Sequence, residues 1–200
     1  MARPQKYKQE QVIKAVSELF KTQGYRATSI EQLLEATQLS RSSLYNSFGN
    51  KEALYLTVLE KIARQSANLY MDMARDNELN PIEPSAFLRM FFKSYYPDTS
   101  FHATGVGCLL VNTVVELADT EPALVTRALG YLKLAEQSLT AFFKRAQKNG
   151  TLSPHQNPAA LALFFMNVKK GLMVSVRHGT PLTELGGVVD TALSVLTFQK

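Results

Sequence analysis

Six side chains that can donate hydrogen bonds stand together on one short segment. They are Arg41, Ser42, Ser43, Tyr45, Asn46 and Ser47. The apolar residues between and beside them, Leu44 and Phe48, would face inward on a helix and leave the six facing outward. Arginine and asparagine side chains can pair with guanine and adenine in the DNA major groove. The segment therefore has the chemistry of a surface that contacts base edges and phosphates.

Local signals place this segment on the second of two short helices joined by a tight turn. Ser29 and Gln32 form a capping box that begins the first helix, and Ser40 is the predicted N-cap of the second. Asn50 is the predicted N-cap of a further helix, whose N-terminal amides and Lys51 could together hold a phosphate. The apolar residues that the two short helices would share are Ile30, Leu33, Leu34, Leu39, Leu44 and Phe48. A helix–turn–helix of this kind slides its second helix into the major groove.

The charge of this region favours a polyanionic partner. Basic residues outnumber acidic ones: Arg3, Lys6, Lys8, Lys14, Lys21, Arg26, Arg41 and Lys51 against Glu10, Glu18, Glu31 and Glu35. The whole 200-residue chain has a formal net charge of +5 and a pI near 9.3. Such a basic excess is the electrostatic footprint of phosphate binding. The alternative is a plain helical hairpin with a serine-rich surface.

The run EATQLSRSSLYNSFGNKEALY, residues 35–55, resembles the recognition segment of the TetR/AcrR family of bacterial transcriptional regulators, approximately EAAGVSKGTLYYHFPSKEELY. The upstream run GYRATSIEQLLEA, residues 24–36, resembles the GYxxTTxxxIAxxA stretch of that family. The resemblance implies an all-α fold with a three-helix, helix-turn-helix DNA-binding domain over residues 1–50. Residues 51–200 would form a larger helical domain for effector binding and dimerisation.

The same resemblance implies a function and a set of contacts. The chain would be a cytoplasmic homodimer that binds a near-palindromic double-stranded DNA operator and is released by a small molecule of unknown class; activation stays open as an alternative to repression. Thr28, Ser43, Tyr45 and Lys51 stand where the family often contacts phosphates. Arg41, Ser42 and Asn46 would read bases, and Tyr45 could instead only support its helix.

Two residues depart from the family pattern. Gln38 occupies the turn position that usually holds glycine, so we expect it to adopt a left-handed backbone conformation. Ser42 replaces the usual glycine near the start of the recognition helix. Both substitutions place a side chain where the family pattern has none.

The last two predicted helices have the pattern of a dimer interface. Asn157 with Pro158 and Thr180 with Pro181 are N-cap and first-turn proline signals that open them. Their apolar stripes are Leu161, Phe165, Val168, Leu172 and Val176, then Leu185, Val189, Leu193 and Leu196. Glycines at 171, 186 and 187 would allow close approach of a second helix. Burial of the stripes within one protomer is the alternative.

Polar residues on otherwise apolar helices are candidates for the effector site. Asn112 and Glu116 lie one helical turn apart, and Asn167 lies on a later helix. The aromatic candidates are Phe101, His102, Phe143 and Phe164. Each candidate has a structural alternative: the asparagines could bond backbone groups, Glu116 could pair with Arg127 or a lysine, and the phenylalanines could be core residues.

Cys108, at the start of a predicted helix, is a candidate redox or electrophile sensor because a helix N-terminus favours the thiolate. Its alternative role is that of a small buried residue, and no second cysteine is present to form a disulfide within the chain.

The sequence disfavours several other classes of protein. The three histidines lack metal-ligand spacing, and no phosphate loop, dinucleotide fingerprint or nucleophile elbow appears, so we expect no metal, no cofactor and no enzyme activity. A helical adaptor that binds protein is the remaining alternative class. The first residues carry no secretory signal, and the longest uncharged apolar runs are shorter than a membrane span of about 20 residues.

Overall fold

The computed structural model describes residues 9–79, 83–93 and 107–197, with the side chains of 66–79, 93 and 182 excepted. Every regular element in these ranges is a helix. The helices are α1 (Gln9–Gln23), α2 (Ile30–Thr37), α3 (Arg41–Phe48), α4 (Lys51–Leu79), α5 (Pro84–Lys93), α6 (Leu109–Leu117), α7 (Pro122–Lys148), α8 (Pro158–Arg177) and α9 (Leu182–Leu193). The all-α fold predicted from the sequence is confirmed.

Local capping sets the bounds of the short helices as predicted. The Ser29 hydroxyl accepts from the Gln32 backbone N–H while the Gln32 side chain accepts from the Ser29 N–H, which completes the capping box of α2. The Ser40 hydroxyl caps α3 by accepting from the Ser43 N–H, and Asn50 Oδ1 caps α4 by accepting from the Ala53 N–H at 2.7 Å. These bonds satisfy backbone donors that a helix start leaves without partners.

Gln38 ends α2 in the left-handed conformation that the sequence predicted. Its φ of 56° is the one positive value at a non-glycine residue among the described ranges. A side-chain Cβ disfavours this conformation. The Gln38 amide donates to the Glu35 carbonyl oxygen at 2.6 Å, which offsets part of that cost.

The chain divides into two compact units. Unit 1 comprises Met1–Ala63 and Leu109–Leu129, and unit 2 comprises Arg64–Cys108 and Gly130–Lys200. Unit 1 therefore contains α1, α2, α3 and the start of α4, together with α6 and the start of α7. These units do not coincide with the predicted domains 1–50 and 51–200, because two segments far apart in the sequence pack into unit 1.

Aromatic side chains dominate the core of unit 2. Phe87 and Phe142 stack with their ring centroids 3.7 Å apart, and Phe143 stacks on Phe165 at 5.8 Å. Phe92 lies against Phe165 from the α5 side at 6.2 Å. Aromatic pairs at such distances add specific ring contacts to the burial of large apolar surface.

The stripes predicted to form the dimer interface belong to this core. Eight of the nine residues are at most 8% exposed: Leu161, Phe165, Leu172, Val176, Leu185, Val189, Leu193 and Leu196. Val168 is partly buried against them. The interface assignment of these residues was wrong, because α8 and α9 pack on α5 and α7 through the same positions. The alternative, burial within one protomer, is what the structure shows.

The ends of the later helices differ from the predicted ones in detail. Asn157 caps α8 as predicted, by accepting from the Ala159 and Ala160 backbone N–H groups. Pro181, and not Thr180, is the N-cap of α9, and no side chain bonds to the first turn of that helix. α4, the helix predicted to begin after Asn50, continues to Leu79.

One helix of the described ranges, α8, is long and apolar enough to cross a membrane by length and composition. Its apolar side instead packs into the core of unit 2 through residues such as Ala162 and Met166. Burial of this kind is the pattern of a core helix.

Candidate nucleic-acid interface

The recognition surface lies on α3 and is positioned by two buried anchors. Leu44 and Phe48 are 2% and 8% exposed, and they fix the inner side of the helix in unit 1. Arg41, Ser42 and Asn46 are exposed as a result. The structure therefore brings the three predicted base-reading residues to one outward side of one short helix.

The first turn of α3 carries a cluster of hydroxyl groups. Ser40 Oγ lies 3.1 Å from Ser42 Oγ and donates to Ser43 Oγ at 2.9 Å. Ser43 and Tyr45 are half-buried. Hydroxyls and N-terminal amides of a helix are donors that suit phosphate oxygens. The predicted phosphate contacts Ser43 and Tyr45 thus lie beside the predicted base contacts.

Arg41 is held by an ion pair within the helix-turn-helix. Its Nη2 donates to Glu31 Oε1 of α2 at 2.7 Å, with 55% and 71% of the two side chains exposed. The pKa of the Glu31 carboxyl lies below its usual value because the Glu31 backbone N–H and then the Arg41 guanidinium stabilise the carboxylate. The pairing orients the guanidinium near the start of α3 before any DNA is present.

Lys51 stands at the start of α4 above an aromatic ring. Its Nζ lies 4.5 Å from the centroid of the Tyr25 ring, a cation–π contact. Burial lowers the pKa of Lys51, and the carboxylates of Glu116 and Glu121 oppose that shift. The side chain is half-buried, so its ammonium is held in place at a helix N-terminus. Lys51 thus lies beside the N-terminal amides of α4, and its phosphate contact stays a prediction.

Thr28 does not have the surface that its predicted phosphate contact requires. The residue is fully buried, and its hydroxyl donates to the Gly24 carbonyl oxygen at 2.6 Å. The bond closes the turn between α1 and α2. We therefore correct the assignment of the Thr28 side chain from a phosphate contact to a structural contact within unit 1.

Two contacts that the sequence did not reveal connect α6 to the segments on either side of the helix-turn-helix. The Glu116 carboxylate accepts from the backbone N–H of Tyr25 at 3.1 Å and of Arg26 at 2.7 Å. The hydroxyls of Tyr55 and Thr113 lie 2.8 Å apart in the interior of unit 1. The paired residues are 58 to 91 positions apart, and no local pattern reports such a contact.

The predicted effector residues that the structure describes are divided between the two units: Asn112 and Glu116 lie in unit 1, and Phe143, Phe164 and Asn167 lie in unit 2. Phe143 is fully buried in the core of unit 2, whereas Phe164 is 40% exposed. Asn167 is exposed and donates to the Leu163 carbonyl oxygen at 2.9 Å, which is the structural alternative foreseen for it. Asn112 is half-buried in α6. Phe101 and His102 lie outside the described residues.

Glu116 has hydrogen-bond partners different from those foreseen. Its carboxylate accepts hydrogen bonds from the turn between α1 and α2, and it also favours the charged form of Lys51 electrostatically. Cys108 is half-buried immediately before α6. Among the residues that the structure describes, no group of three or more His, Cys, Asp or Glu side chains could hold a metal ion.

Comparison with known proteins agrees with this geometry over most of the chain. Residues 12–58 match the family described as bacterial regulatory proteins, tetR family. Residues 85–182 match the tetracyclin repressor-like, C-terminal domain. The two matched segments contain the described helix-turn-helix and most of the remaining helices.

Relatives and solved structures point to the same family. The HTH-type transcriptional repressor ComR of Escherichia coli K12 is 26% identical over 196 residues, 96% of this chain and 90% of ComR. The transcriptional regulator AcuR of Cereibacter sphaeroides is 27% identical over 156 residues, 78% of this chain and 70% of AcuR. A cysteine mutant of the TetR family regulator CifR, complexed with 26-bp double-strand operator DNA, superposes with a TM-score of 0.85. That match has 23% identity and covers 98% of this chain and 100% of CifR. The chain is a member of the TetR family of bacterial transcriptional regulators, which bind DNA.

Proposed function

We propose that the protein is a cytoplasmic, homodimeric repressor that binds a near-palindromic operator and is released from it by a small molecule. The proposed DNA binding rests mainly on the exposed side of α3. Arg41, Ser42 and Asn46 are exposed there because Leu44 and Phe48 are buried. Arg41 suits guanine and Asn46 suits adenine in the major groove, each discriminating by about 1–3 kcal/mol. The likeness to ComR, which is named a repressor, supports repression over activation.

An exposed apolar surface on α8 and α9 supports the homodimer. Phe164 of α8, Val188 of α9 and Val195, two residues after α9, are each at least 40% exposed, although both helices also carry the core of unit 2. Together with Gly187 and Thr191 they line an open groove of about 660 Å³. A second copy that packed on this surface would bury these side chains in a two-fold interface. Two recognition helices would then face successive turns of DNA, which is the reason for a near-palindromic operator.

The glycines of α8 and α9 agree with this placement. A Cβ added at Gly171, Gly186 or Gly187 would meet no atom within 4 Å. The glycines therefore serve no close helix approach within the protomer. They leave room for the backbone of a partner helix instead.

An effector would act by favouring one of two arrangements of the recognition helices. α4 contributes residues 51–63 to unit 1 and the rest of its length to unit 2, so it is one covalent connection along which binding could be coupled. The ligand must prefer one state, and a tenfold change in operator affinity requires about 1.4 kcal/mol of coupling. Of the residues predicted for this site and described in unit 2, Phe164 lies in the exposed groove and Phe143 and Asn167 do not.

Titration against the DNA upstream of its own gene tests the proposal. Wild-type protein and Lys51→Ala would be compared at several salt concentrations by fluorescence anisotropy. Removal of one phosphate contact should weaken binding on all sequences alike and reduce the magnitude of the salt slope by about 1. Lys133→Ala is the matched control, since Lys133 is an exposed lysine of unit 2 that pairs with Glu136.

Saturable wild-type binding, a smaller slope for Lys51→Ala and an unchanged slope for Lys133→Ala would support the proposal. Folded, effector-free protein with no preference for any upstream DNA would contradict it and return the protein-binding adaptor to consideration.

Oxidant or electrophile sensing through Cys108 stays the alternative mode of release. Its half-buried position before α6 agrees equally with a packing role. Release of operator DNA by peroxide from wild type but not from Cys108→Ala would favour that alternative over a non-covalent effector.

A further inference from the structure

The turn between α1 and α2 is held by a side chain from a distant part of the chain. α1 ends at Gln23, and the turn that follows it contains Tyr25 and Arg26. Both donate to the carboxylate of Glu116 in α6, to Oε2 at 3.1 Å and to Oε1 at 2.7 Å. Each carboxylate oxygen therefore accepts one backbone donor. Bonds of this kind to an ionised acceptor are stronger than bonds between neutral groups.

Gly24 makes this close approach possible. Its φ of 86° favours glycine, and a Cβ built on it would lie 2.5 Å from Glu116 Oε2 and 2.9 Å from Cδ. Any side chain at position 24 would displace the carboxylate. The glycine thus has two roles, as the stop of α1 and as the space that Glu116 occupies.

The bonded turn leads directly into the helix-turn-helix. Thr28 is fully buried and ties the far end of the turn to the Gly24 carbonyl oxygen, and Ser29 then caps α2. α2 is anchored by Leu33, and α3 by Leu44, both in the interior of unit 1. The position of the turn therefore sets where α2 begins.

Within unit 1, α6 contacts the N-terminal helices at a second point, one helical turn away. Thr113, three residues before Glu116, has its hydroxyl 2.8 Å from that of Tyr55. The Tyr55 ring packs against the Tyr25 ring with centroids 4.9 Å apart, and Lys51 lies over the same Tyr25 ring. The Glu116 carboxylate also favours the charged form of Lys51, against the effect of burial. One element thus holds both the turn and the surroundings of a predicted phosphate contact.

We infer that Glu116 is a positioning residue for operator recognition: its carboxylate fixes the turn between α1 and α2, and thereby the placement of α3, without touching DNA. The inference rests on the proposed operator binding. Glu116 lies in the segment matched to the C-terminal domain, residues 85–182, and outside the matched DNA-binding segment, residues 12–58. Operator affinity would then depend on a side chain beyond the helix-turn-helix itself.

Glu116→Gln in the full-length chain is the first test, because a carboxamide replaces one acceptor with a donor that faces a backbone N–H. We expect operator affinity to fall by about tenfold or more. This is the effect of losing one charge-assisted hydrogen bond that holds the turn in its DNA-binding position. The salt slope should equal that of wild type, since no phosphate contact is lost. Amide hydrogen exchange at Tyr25 and Arg26 should accelerate in the free protein, relative to amides of α8.

Glu121→Gln is the matched control. Glu121 also favours the charged form of Lys51, so its substitution removes a comparable charge near that lysine. We expect its operator affinity to stay within about threefold of wild type. If Glu116→Gln does not fold, Glu116→Asp keeps the charge but is one methylene too short to reach both amides, and the same losses are expected.

The outcomes separate the inference from the proposed function. Wild-type operator binding with unchanged affinity for folded Glu116→Gln or Glu116→Asp would overturn the inference alone. An equal loss in Glu121→Gln would also overturn it, because net charge would then be the cause. Failure of the wild-type protein to bind any operator would overturn the inference and the proposed function together.

Discussion

The guanidinium of Arg41 and the carboxylate of Glu31 are joined across the helix-turn-helix at 2.7 Å. Arg41 opens the recognition helix, so the pair places an internal anion where DNA would otherwise be the partner of the arginine. If Arg41 reads a base as proposed, Glu31 must release the guanidinium when the base contact forms. The ion pair should therefore compete with non-specific phosphate contacts by Arg41. Only the stronger, bidentate contact with a base should be favourable enough to replace it.

Glu31→Gln is accordingly expected to raise affinity for random-sequence DNA severalfold and to steepen its salt dependence. Affinity for the operator should rise less, so the ratio of operator to random-DNA affinity should fall. Glu35→Gln, an equal change of charge at another exposed position of α2, is the control. Anisotropy titrations of both variants on both DNAs decide the matter; equal effects at positions 31 and 35 would assign the change to net charge.

Arg41→Ala should lower operator affinity much more than affinity for random-sequence DNA. Loss of a bidentate base contact costs about 1–3 kcal/mol on the operator and much less on random DNA. If Arg41 reads a particular base pair, substitution of that pair should reduce the operator affinity of Arg41→Ala less than that of wild type. Competition titrations with single-base operator variants would show which position loses its discrimination. A uniform loss on all DNAs would identify Arg41 as a phosphate contact.

Gln38 provides a test of backbone strain. Its φ of 56° places a Cβ-bearing residue in the left-handed region, and both Gln38→Gly and Gln38→Ala lose the bond to the Glu35 carbonyl. The two variants differ only in the Cβ, so Gln38→Gly should be more stable than Gln38→Ala by about 1 kcal/mol. Urea unfolding of the two proteins measures this difference. A Gln38→Ala protein as stable as Gln38→Gly would mean that the turn changes conformation on substitution.

Tyr55 should give the protein a specific sensitivity to alkali. The pKa of the Tyr55 phenol is raised from 10.0 to about 12, mainly by burial, and the hydrogen bond with the Thr113 hydroxyl opposes this shift. The unfolded chain therefore loses the phenolic proton at lower pH than the folded protein. Stability from this group is complete below pH 10 and is lost as pH rises through about 12.

In Tyr55→Phe we expect a free energy of unfolding about 1 kcal/mol lower near neutral pH, because the bond to Thr113 is lost. The decline of wild-type stability between pH 10 and 12 should become shallower in this variant. Tyr131→Phe, in α7, is the control and should keep the wild-type slope. Denaturant unfolding over this pH range is the measurement, and parallel curves for Tyr55→Phe and wild type would contradict the assignment.

Adjacent phenylalanines of α8 distinguish the protomer core from the proposed dimer surface. Phe165 is fully buried and Phe164 is 40% exposed. Phe165→Ala should destabilise the fold by about 3–5 kcal/mol, as expected for a phenylalanine removed from a packed core. Phe164→Asp should fold but shift the sedimentation profile from dimer to monomer, with weaker operator binding. A dimeric Phe164→Asp would place the interface elsewhere.

The sequence by itself determined the features that depend on neighbours along the chain. The caps Ser29, Ser40, Asn50 and Asn157 were predictable because a capping side chain reaches only two or three residues ahead. Helical periodicity likewise predicted the buried anchors of α3. The left-handed Gln38 followed from the tight turn between two short helices. Together with the family resemblance, these local signals were sufficient for the DNA-binding fold.

Tertiary structure alone decided which apolar surfaces are buried within the protomer and which distant residues contact each other. The apolar stripes of α8 and α9 have the same periodicity whether a partner subunit or α5 and α7 covers them, and the fold shows the latter. Thr28 is buried because the turn closes over it, and Glu116 reaches Tyr25 and Arg26 because α6 returns to unit 1 after 90 residues. Such contacts depend on how distant segments meet in space, which no spacing within a single helix encodes.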